Sequence, residues 1–341
     1  MKTPILAMTL ALLASLALAD ITPREVLSQA MSIERPVVAA ARDHQGAFTV
    51  ESGVEITTEG ADEIVDLGSI TKTVTAIATL HLIEEEGFSV QSTLATLLPD
   101  VPSDKAGITL HQLLTHSSGI LESTGDDGED LSRDEFLARI FAAPLDAAHG
   151  ATYAYSNAGY SLLATVIEVQ SGMAYEDYLI DRVIPQDNAL IGYARAYDED
   201  RALTSNRIWL TGFQRRPVAE ASWQGAAPGW NLIGNGGLVT TAEGFLTFWA
   251  AFLNGEIVSA DYVAAALTPH VDEGNGTLFA GYGLVVEPLA DGNVLYWHDG
   301  GNDIFSAEWR HFAKTGDTYF TAGTGESAFD AMARVMAATS P

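Results

Sequence analysis

The sequence predicts an α+β fold: an antiparallel β-sheet built from N- and C-terminal strands and flanked by helices, plus a mostly helical subdomain. Two observations indicate this. Short apolar or alternating segments separated by turn residues occur at 36–52 and again between about 278 and 323, which is typical of strands joined by turns. The residues between these two groups show helical spacing instead. Because strands joined by short turns pair antiparallel, one sheet that uses both ends of the chain is the simplest arrangement.

The first residues have the pattern of a secretory signal peptide at 1–19. MKTPILAMTLALLASLALAD contains one lysine, an apolar run, and then Ala17-Leu18-Ala19 before Asp20. The apolar run is too short for a comfortable membrane span and lacks a stop-transfer flank. We therefore expect an exported protein, periplasmic or secreted, with no stable membrane span after cleavage. Residues 20–341 are expected to form a single domain, with a sheet subdomain at about 30–88 and 237–341 and a helical subdomain at about 89–236.

In the N-terminal half, two strands precede a long helix. The strands are predicted at 36–43 and 46–52. The helix is predicted at about 70–86, with Gly87 as its C-cap. A short helix in ITLHQLLTH follows, with Thr109 as its N-cap.

The middle and C-terminal elements follow from the same patterns. Further helices are expected at about 132–141, 158–171, 174–184, 241–253 and 327–338. C-terminal strands are expected at 278–288, 292–300, 303–312 and 317–323. The irregular region at about 186–236 is expected to wall a cleft with its aromatic residues Trp209, Phe213, Trp223 and Trp230.

Composition excludes several functions. The formal charge is −28 with only 17 Lys and Arg, which argues against binding to nucleic acid or to anionic lipid through a basic face. The chain has no cysteine, which excludes thiol catalysis and zinc–thiolate sites. Hydrophobic residues make up 47% of the chain, so a core without disulfides is expected.

One of the few lysines stands at the head of an apolar helix. Apart from Lys2 the chain has only Lys72, Lys105 and Lys314, and Lys72 lies three residues after Ser69. Residues three apart on a helix lie on one face, so these two side chains can touch. A serine hydroxyl needs a base, and both burial and the positive end of the helix dipole favour a neutral amine. The pair therefore predicts a nucleophilic serine whose own N–H can stabilise an oxyanion.

Two other segments contain candidate site residues. In YAYSNAGYSLL, Tyr155 can relay a proton and Asn157 can hold Lys72 or a substrate carbonyl. In YWHDGG, His298 lies at the end of a predicted strand and Gly301 N–H is a second candidate oxyanion donor. Each of these segments, taken alone, is better explained by a core tyrosine, a helix N-cap and a structural histidine.

Together the three motifs resemble a known family. SITK at 69–72, YSN at 155–157 and HDG at 298–300 are similar in order and approximate spacing to the motifs of the class C β-lactamase-like serine hydrolases. This penicillin-recognising superfamily includes D,D-peptidases, D-aminopeptidases, esterases and β-lactamases. LHLIEEEGFSVQSTLATLLPDVP, ITLHQLLTHSSGI and GNGGLVTTAEGFLTFWAAFLNG also resemble that family, from about residue 36 to the C-terminus.

The resemblance implies a β-lactamase/transpeptidase-like fold and an exported serine hydrolase that forms an acyl-enzyme. Ser69 is the nucleophile, and Lys72 and Tyr155 form the proton-transfer pair, with the choice of base left open. Ser69 and Gly301 supply the oxyanion N–H groups. Substrate binding is assigned to Asn157, His298, Gly300 and Gly301. No metal or cofactor is implied, and the substrate is a small ester, amide or peptide, cleaved by an esterase, amidase or D-amino-acid peptidase with at most weak β-lactamase activity.

The third motif departs from the family pattern. His298 stands where many relatives have lysine, and a partly charged histidine holds a substrate carboxylate less strongly. Asp299 stands where the family usually has a small hydroxyl residue. This carboxylate can raise the pKa of His298, face outward, or repel an anionic substrate. It also motivates the alternative of a non-catalytic, penicillin-binding-like protein that binds cell-wall peptides.

Other interpretations of single features are weaker. The acidic loop at 123–135 does not have the spacing of an EF-hand, so a solvated loop is preferred to a metal site. His81 and His116 are interpreted as structural. No G-x-S-x-G motif is present, which disfavours an α/β-hydrolase triad. The oligomeric state stays open.

Overall fold

The computed structural model of this chain describes residues 22–30, 37–52, 63–185, 190–196, 223, 227–302 and 304–339. The predicted signal peptide and two of the predicted cleft aromatics, Trp209 and Phe213, lie outside these ranges. The division into two subdomains stays a prediction. Among the helices that are described, none has both the length and the apolar character needed to cross a membrane.

Strands occur mainly near the two ends of the described chain, and helices occur mainly in its middle. The strands are β1 (Val37–Arg42), β2 (Phe48–Ser52), β3 (Val65–Asp66), β4 (Ile191–Gly192), β5 (Val239–Thr240), β6 (Val271–Asp272), β7 (Phe279–Ala280), β8 (Val285–Pro288), β9 (Val294–Gly301), β10 (Phe305–Phe312) and β11 (Thr318–Thr324). The helices are α1 (Pro23–Ala30), α2 (Thr71–Glu86), α3 (Leu94–Leu97), α4 (Leu110–Leu114), α5 (Arg133–Ala142), α6 (Asn157–Ser171), α7 (Tyr175–Tyr178), α8 (Ala242–Leu253), α9 (Ala260–Ala266) and α10 (Ser327–Thr339).

The main sheet joins the two ends of the chain. Within the described residues it has eight strands in the order β2-β1-β11-β10-β9-β8-β7-β6, and the paired neighbours are antiparallel. N-terminal β1 pairs directly with C-terminal β11, with Ala39 opposite Thr321. The predicted α+β fold, with one antiparallel sheet made from both termini, is confirmed.

Both faces of the sheet are covered. Successive side chains of a strand point to opposite faces, and β1 follows this rule with small apolar residues. Ala39 and Ala41 pack in a cluster with α1 and α10, whereas Val38 and Ala40 belong to the larger core that includes α2 and α8. The N-terminal strand is therefore buried on both sides, which explains its continuous apolar sequence.

Helix α2 is buried along almost its whole length. Thr71–Leu80 and Leu82–Ile83 are all buried, and α2 packs against α6. The helix ends at the predicted glycine, because Gly87 has a left-handed φ of 70° and its N–H donates to the carbonyl of Ile83. A 3-10 turn, Gly68–Ile70, leads into the helix. Thr109 also caps α4 as predicted, in a reciprocal capping box with Gln112.

Some elements differ from the prediction. Strands β3, β5 and β4 form a separate three-stranded sheet, and two residues per strand are too few to show alternation in a sequence. The predicted strand at 278–288 is two short strands, β7 and β8, separated by a turn in which Gly283 has a φ of 72°. Helix α7 continues as a π-helix over Leu179–Val183. Helices α1, α3 and α9 were not predicted.

Candidate active site

Ser69 lies in the 3-10 turn between β3 and α2. The turn is tied down where Leu67 N donates to Leu238 O at 2.9 Å and Gly68 N donates to the Asp66 carboxylate at 2.6 Å. Gly68 has a φ of 49°, and a Cβ there would collide with the amide nitrogen of Gly301. Glycine is required at this position on both grounds. The turn leaves Ser69 half-buried at the head of α2.

The Lys72 amine lies directly beside the serine hydroxyl. Its Nζ is 3.1 Å from Ser69 Oγ and donates to the carbonyl of Asn235 at 2.7 Å. The Lys72 residue has no exposed surface. The carbonyl that receives the amine is held in place because the Asn235 side chain donates to Ser161 Oγ and to Asn231 O. The predicted Ser–Lys contact is therefore present, in a site made from α2 and a distant glycine-rich turn.

Burial lowers the pKa of Lys72 to about 7. The carboxylates of Asp127, Asp299 and Glu122 raise the pKa of Lys72, but by less than burial lowers it. The described part of the chain provides no salt bridge to this amine. Near neutral pH a large fraction of Lys72 is uncharged and can accept a proton.

Tyr155 completes a three-residue cluster. Its ring centroid lies 4.8 Å from Lys72 Nζ, and its side chain is near enough to Ser69 for Ser69 to lower the pKa of the phenol. Burial raises the pKa of Tyr155 and outweighs the effect of Ser69. The phenol therefore stays protonated at neutral pH and is suited to donate a proton.

Asn157 lies nearby without the contact proposed for it. It is the first residue of α6, and the N-cap is Ser156, whose Oγ accepts from Gly159 N at 2.9 Å. Within the described residues the hydrogen bonds of the Lys72 amine go to Ser69 and Asn235, and none goes to Asn157. The backbone carbonyl of Asn235 thus has the position next to Lys72 that was considered for Asn157.

The end of β9 lies against the serine turn. A Cβ on Gly300 would lie 2.5 Å from the Ser69 amide nitrogen, so only glycine allows this approach. Likewise, a Cβ on Gly68 would collide with the Gly301 amide nitrogen. The end of β9 therefore lies in close contact with the Gly68–Ser69 backbone, and the assignment of the Ser69 and Gly301 amides to an oxyanion hole stays a prediction.

His298 is buried and neutral. Its Nδ1–H donates to the carbonyl of Asp299 at 2.5 Å, which leaves Nε2 as the unprotonated nitrogen. Burial lowers the pKa of His298, the Asp299 carboxylate raises it, and Lys72 lowers it further, with a net downward shift. Asp299 is itself exposed. Asp299 does raise the pKa of His298, which was one of the three roles considered for it, but burial outweighs this effect, so His298 is mainly uncharged at neutral pH.

Ser69, Tyr155 and His298 line one cavity of about 370 Å³. This volume is in the range of small-molecule sites. Ser69 and Tyr155 line it together with the third-motif strand, and carboxylates of Glu273 and Asp299 stand at its wall. Burial raises the pKa of the Glu273 carboxyl, and the nearby Tyr153 side chain opposes this only in part.

The cleft aromatics lie elsewhere than predicted. Trp223 and Trp230 are buried, with Trp223 Nε1 donating to Gly237 O and Trp230 packed near Phe136. The prediction that these two residues wall the cleft is wrong, because their rings fill the core behind it. Trp297 lines the cavity instead.

The remaining candidates from the sequence have structural roles. His81 is bonded to the Tyr178 hydroxyl at 2.8 Å, away from the cavity. In the acidic loop, Glu129 pairs with Arg139. The described residues contain no group of three or more His, Asp or Glu able to hold a metal ion.

His116, Asn235 and Glu273 are neighbours of the site that the sequence did not indicate. His116 was interpreted as structural, and it is buried in the cavity wall against Tyr155. Asn235 lies in the glycine-rich IGNGG string, whose composition indicates only a loop. Nothing in the sequence around Glu273 distinguishes it from other surface carboxylates.

Comparison with known proteins supports the same grouping. The Beta-lactamase family model matches residues 21–325. Penicillin-binding protein 4 of Amycolatopsis lactamdurans is 30% identical over 141 residues, covering 39% of this chain and 35% of that protein. Esterase EstB of Burkholderia gladioli is 33% identical over 131 residues, covering 33% of each. The matched part thus spans about a third of the length of these curated relatives.

A solved structure shows the shared fold. D-amino acid amidase from Ochrobactrum anthropi SV3, in complex with D-phenylalanine, superimposes with a TM-score of 0.74 at 18% identity. The superposition covers 92% of this chain and 97% of that one.

We expect Lys72→Met to abolish reactivity at Ser69 and yet raise the free energy of unfolding by about 1–3 kcal/mol at pH 7. Replacing a buried, poorly compensated charge by an apolar group of similar size is often stabilising. The gain should disappear as pH rises from 7 towards 10.5. Within that range folding must remove a proton that the unfolded chain holds, and above it the amine is neutral in both states. Urea unfolding at several pH values measures it.

Lys105→Met is the matched control. Lys105 is equally buried, but its Nζ is bonded to the Asp104 carboxylate and to Ala143 O, both at 2.7 Å. Both substitutions take the donor from a backbone carbonyl, Asn235 O in one case and Ala143 O in the other. Because the Lys105 amine is paired with a carboxylate, its removal relieves no uncompensated charge and should cost about 1–3 kcal/mol. If Lys72→Met were destabilised as much as Lys105→Met, burial of the Lys72 amine would not be unfavourable, which would contradict this assignment.

Proposed function

The chain belongs to the beta-lactamase family, and from this premise we propose that it is a serine hydrolase that forms an acyl-enzyme on Ser69. The observation that supports this best is the contact of 3.1 Å between Ser69 Oγ and a buried amine whose pKa is lowered to about 7. A serine hydroxyl becomes an effective nucleophile when an adjacent base takes its proton. No metal or cofactor enters this proposal.

The proposed reaction has two steps. In the first, Lys72 takes the Ser69 proton as Oγ attacks the substrate carbonyl, and the amides of Ser69 and Gly301 stabilise the oxyanion. The leaving alcohol or amine takes its proton from Tyr155, and the acyl-enzyme remains. In the second, a water molecule attacks the acyl carbon, gives up its proton to the Lys72–Tyr155 pair, and Ser69 is released with its hydrogen restored.

The pKa directions favour one division of roles. Lys72, with a pKa of about 7, is available as a base at neutral pH, whereas the raised pKa of Tyr155 keeps the phenol as a proton donor. We therefore assign proton abstraction to Lys72 and leaving-group protonation to Tyr155. Since the two groups are in contact with the same hydroxyl, their titrations belong to the pair.

The charges at the cavity support a preference within the substrate class. Glu273 and Asp299 are acidic, and the third-motif residue His298 is neutral. A substrate carboxylate therefore meets no cation there, whereas a substrate amino group meets two carboxylates. We propose short esters and amides of D-amino-acid type as better substrates than β-lactams, for which only weak activity is expected. The names of the similar proteins, an esterase and a D-amino acid amidase, are consistent with this.

The alternative of a non-catalytic protein that binds cell-wall peptides has less support. It was motivated by Asp299, but that side chain is exposed, and Ser69, Lys72 and Tyr155 lie together.

We also propose export to the periplasm or the medium, supported by the sequence pattern of residues 1–19. N-terminal sequencing of protein recovered outside the cytoplasm should begin near Asp20. Protein that retains Met1 and stays in the cytoplasm would contradict this proposal.

A substrate panel on wild type and Ser69→Ala tests the main proposal. p-Nitrophenyl acetate, a D-amino-acid p-nitroanilide and nitrocefin should be cleaved with decreasing efficiency, and the alanine variant should lose all three activities. Ser259→Ala is the matched control, because Ser259 is exposed and makes no side-chain cap hydrogen bond. Turnover by Ser69→Ala at the wild-type rate would show that another residue is the nucleophile.

The pH dependence of kcat/KM should show an acid limb. The amine must be neutral to accept a proton, so activity should fall about tenfold per pH unit below a midpoint near 7 and level off above it. Stopped-flow or plate assays from pH 5 to about 9 measure this. The limb should persist at the same midpoint in His298→Gln; a limb that vanishes in that variant would assign the titration to the imidazole instead.

A further inference from the structure

His116 accepts hydrogen bonds from the backbone on both sides of Tyr155, the proposed donor of the leaving-group proton. Its backbone carbonyl accepts from Ala154 N at 2.7 Å, and its ring Nδ1 accepts from Ser156 N at 3.0 Å. Ala154 and Ser156 are the residues immediately before and after Tyr155. One residue therefore fixes the backbone that carries the phenol from both directions.

The imidazole also supports the phenol ring itself. The His116 and Tyr155 rings are stacked, with centroids 4.4 Å apart and an interplanar angle of 28°. Tyr160 packs on the imidazole at 5.0 Å and Tyr153 meets it edge-on at 5.7 Å. The Tyr160 hydroxyl is anchored in turn, by donating to Leu114 O at 2.8 Å.

The tautomer of His116 follows from its partner. A backbone N–H can only donate, so Nδ1 must be unprotonated and the ring proton lies on Nε2. Burial keeps the imidazole neutral, because it lowers the pKa of His116 well below its usual value. Since its lone pair is already used by Ser156 N–H, His116 is not placed to act as a general base.

The backbone of His116 is held in an unfavourable conformation. Its φ is 54°, in the left-handed region that a non-glycine residue enters at a cost of about 1–2 kcal/mol. This conformation directs the His116 carbonyl to Ala154 N and the ring to Ser156 N, so both reach the same loop segment. Strain of this kind persists where surrounding contacts enforce it, and it often occurs at functional sites.

We propose that His116 is the positioning residue for Tyr155. Its carbonyl and Nδ1 hold the amides of Ala154 and Ser156, the residues on either side of the tyrosine, and its ring stacks on the phenol. This holds the Tyr155 hydroxyl at Ser69 Oγ. The kinetic part of the inference rests on the proposed function, because it is measured as acyl transfer, whereas the structural part does not.

Three substitutions separate the clamp from general stability. His116→Asn keeps an acceptor, Oδ1, on the same carbon as Nδ1, and asparagine tolerates a positive φ. His116→Phe keeps a ring for stacking but has no acceptor. His116→Gly relieves the backbone strain and removes both. At a temperature where each variant is folded, kcat for p-nitrophenyl acetate should fall about 100-fold in the Phe and Gly variants, since misplacement of a reacting group by about 1 Å has effects of this size.

The Asn variant should stay within about tenfold of the wild-type kcat, and KM should change little in all three. Rescue by asparagine, with no rescue by the less strained glycine, is the expected pattern. Wild-type kcat in the folded Phe variant, or equal losses in Asn and Phe, would overturn the clamp.

A double-mutant cycle tests whether the effect is transmitted through Tyr155. In a Tyr155→Phe background the phenol hydroxyl is absent, so His116→Phe should reduce kcat by less than about threefold. Full additivity of the two substitutions would overturn the positioning role while leaving the serine hydrolase proposal standing.

Amide hydrogen exchange provides a test that needs no turnover. The Ser156 amide should exchange faster in His116→Phe than in wild type and at a near wild-type rate in His116→Asn, whereas the Ala154 amide, which is bonded to a backbone carbonyl that all variants keep, should change less. If the wild type hydrolyses nothing, the proposed function fails, and this exchange pattern still decides whether His116 clamps the loop. Identical exchange in wild type and His116→Phe would overturn the inference.

Discussion

The site depends on one unfavourable burial: an amine enclosed at the head of an apolar helix without a salt bridge among the described residues. Lys72 is enclosed by α2, α6 and the glycine-rich turn, and its fixed partners are a hydroxyl and a carbonyl oxygen. Had a carboxylate been bonded to it, the amine would be a stable cation and a poor base. The polar groups around it satisfy the hydrogen bonds of a neutral amine and provide little stabilisation of a charge. The large core formed by the rest of the chain supplies the stability that this burial costs.

A second constraint places the electrophile-stabilising amides. Strand β9 approaches the serine turn so closely that both sides of the contact, Gly68 and Gly300, have no room for a Cβ. The register of β9 with β10, in which Gly301 pairs with Ser306, fixes how far the strand extends towards Ser69. The same strand contributes His298 and Asp299 to the cavity. Sheet register, glycine content and site chemistry are therefore parts of one arrangement, which explains why the third motif ends in two glycines.

Features with strong local signals could be predicted from the sequence. The burial of α2, the three-residue spacing of Ser69 and Lys72, the long C-terminal strands and the caps at Gly87 and Thr109 all follow from local periodicity or turn chemistry. The contribution of Asn235 could not be predicted, because it acts through a backbone carbonyl 163 residues away from Lys72. The core positions of Trp223 and Trp230 were also missed, since an aromatic residue in an irregular segment has no periodicity that shows which side it faces. His116 was interpreted only as structural, because its stacking on Tyr155 depends on tertiary packing.

Direct titration of the Lys72 amine by NMR tests the central claim. The chain has four lysines, and Lys2 lies within the predicted signal peptide, so protein labelled with ¹³C at lysine Cε should give a spectrum with very few resonances. The resonance assigned to Lys72 by substitution should titrate with a midpoint near 7, well separated from the others. A Lys72 resonance that titrates near the ordinary lysine value of about 10.4 would contradict the account, because the amine would then be a cation wherever the protein is folded and active.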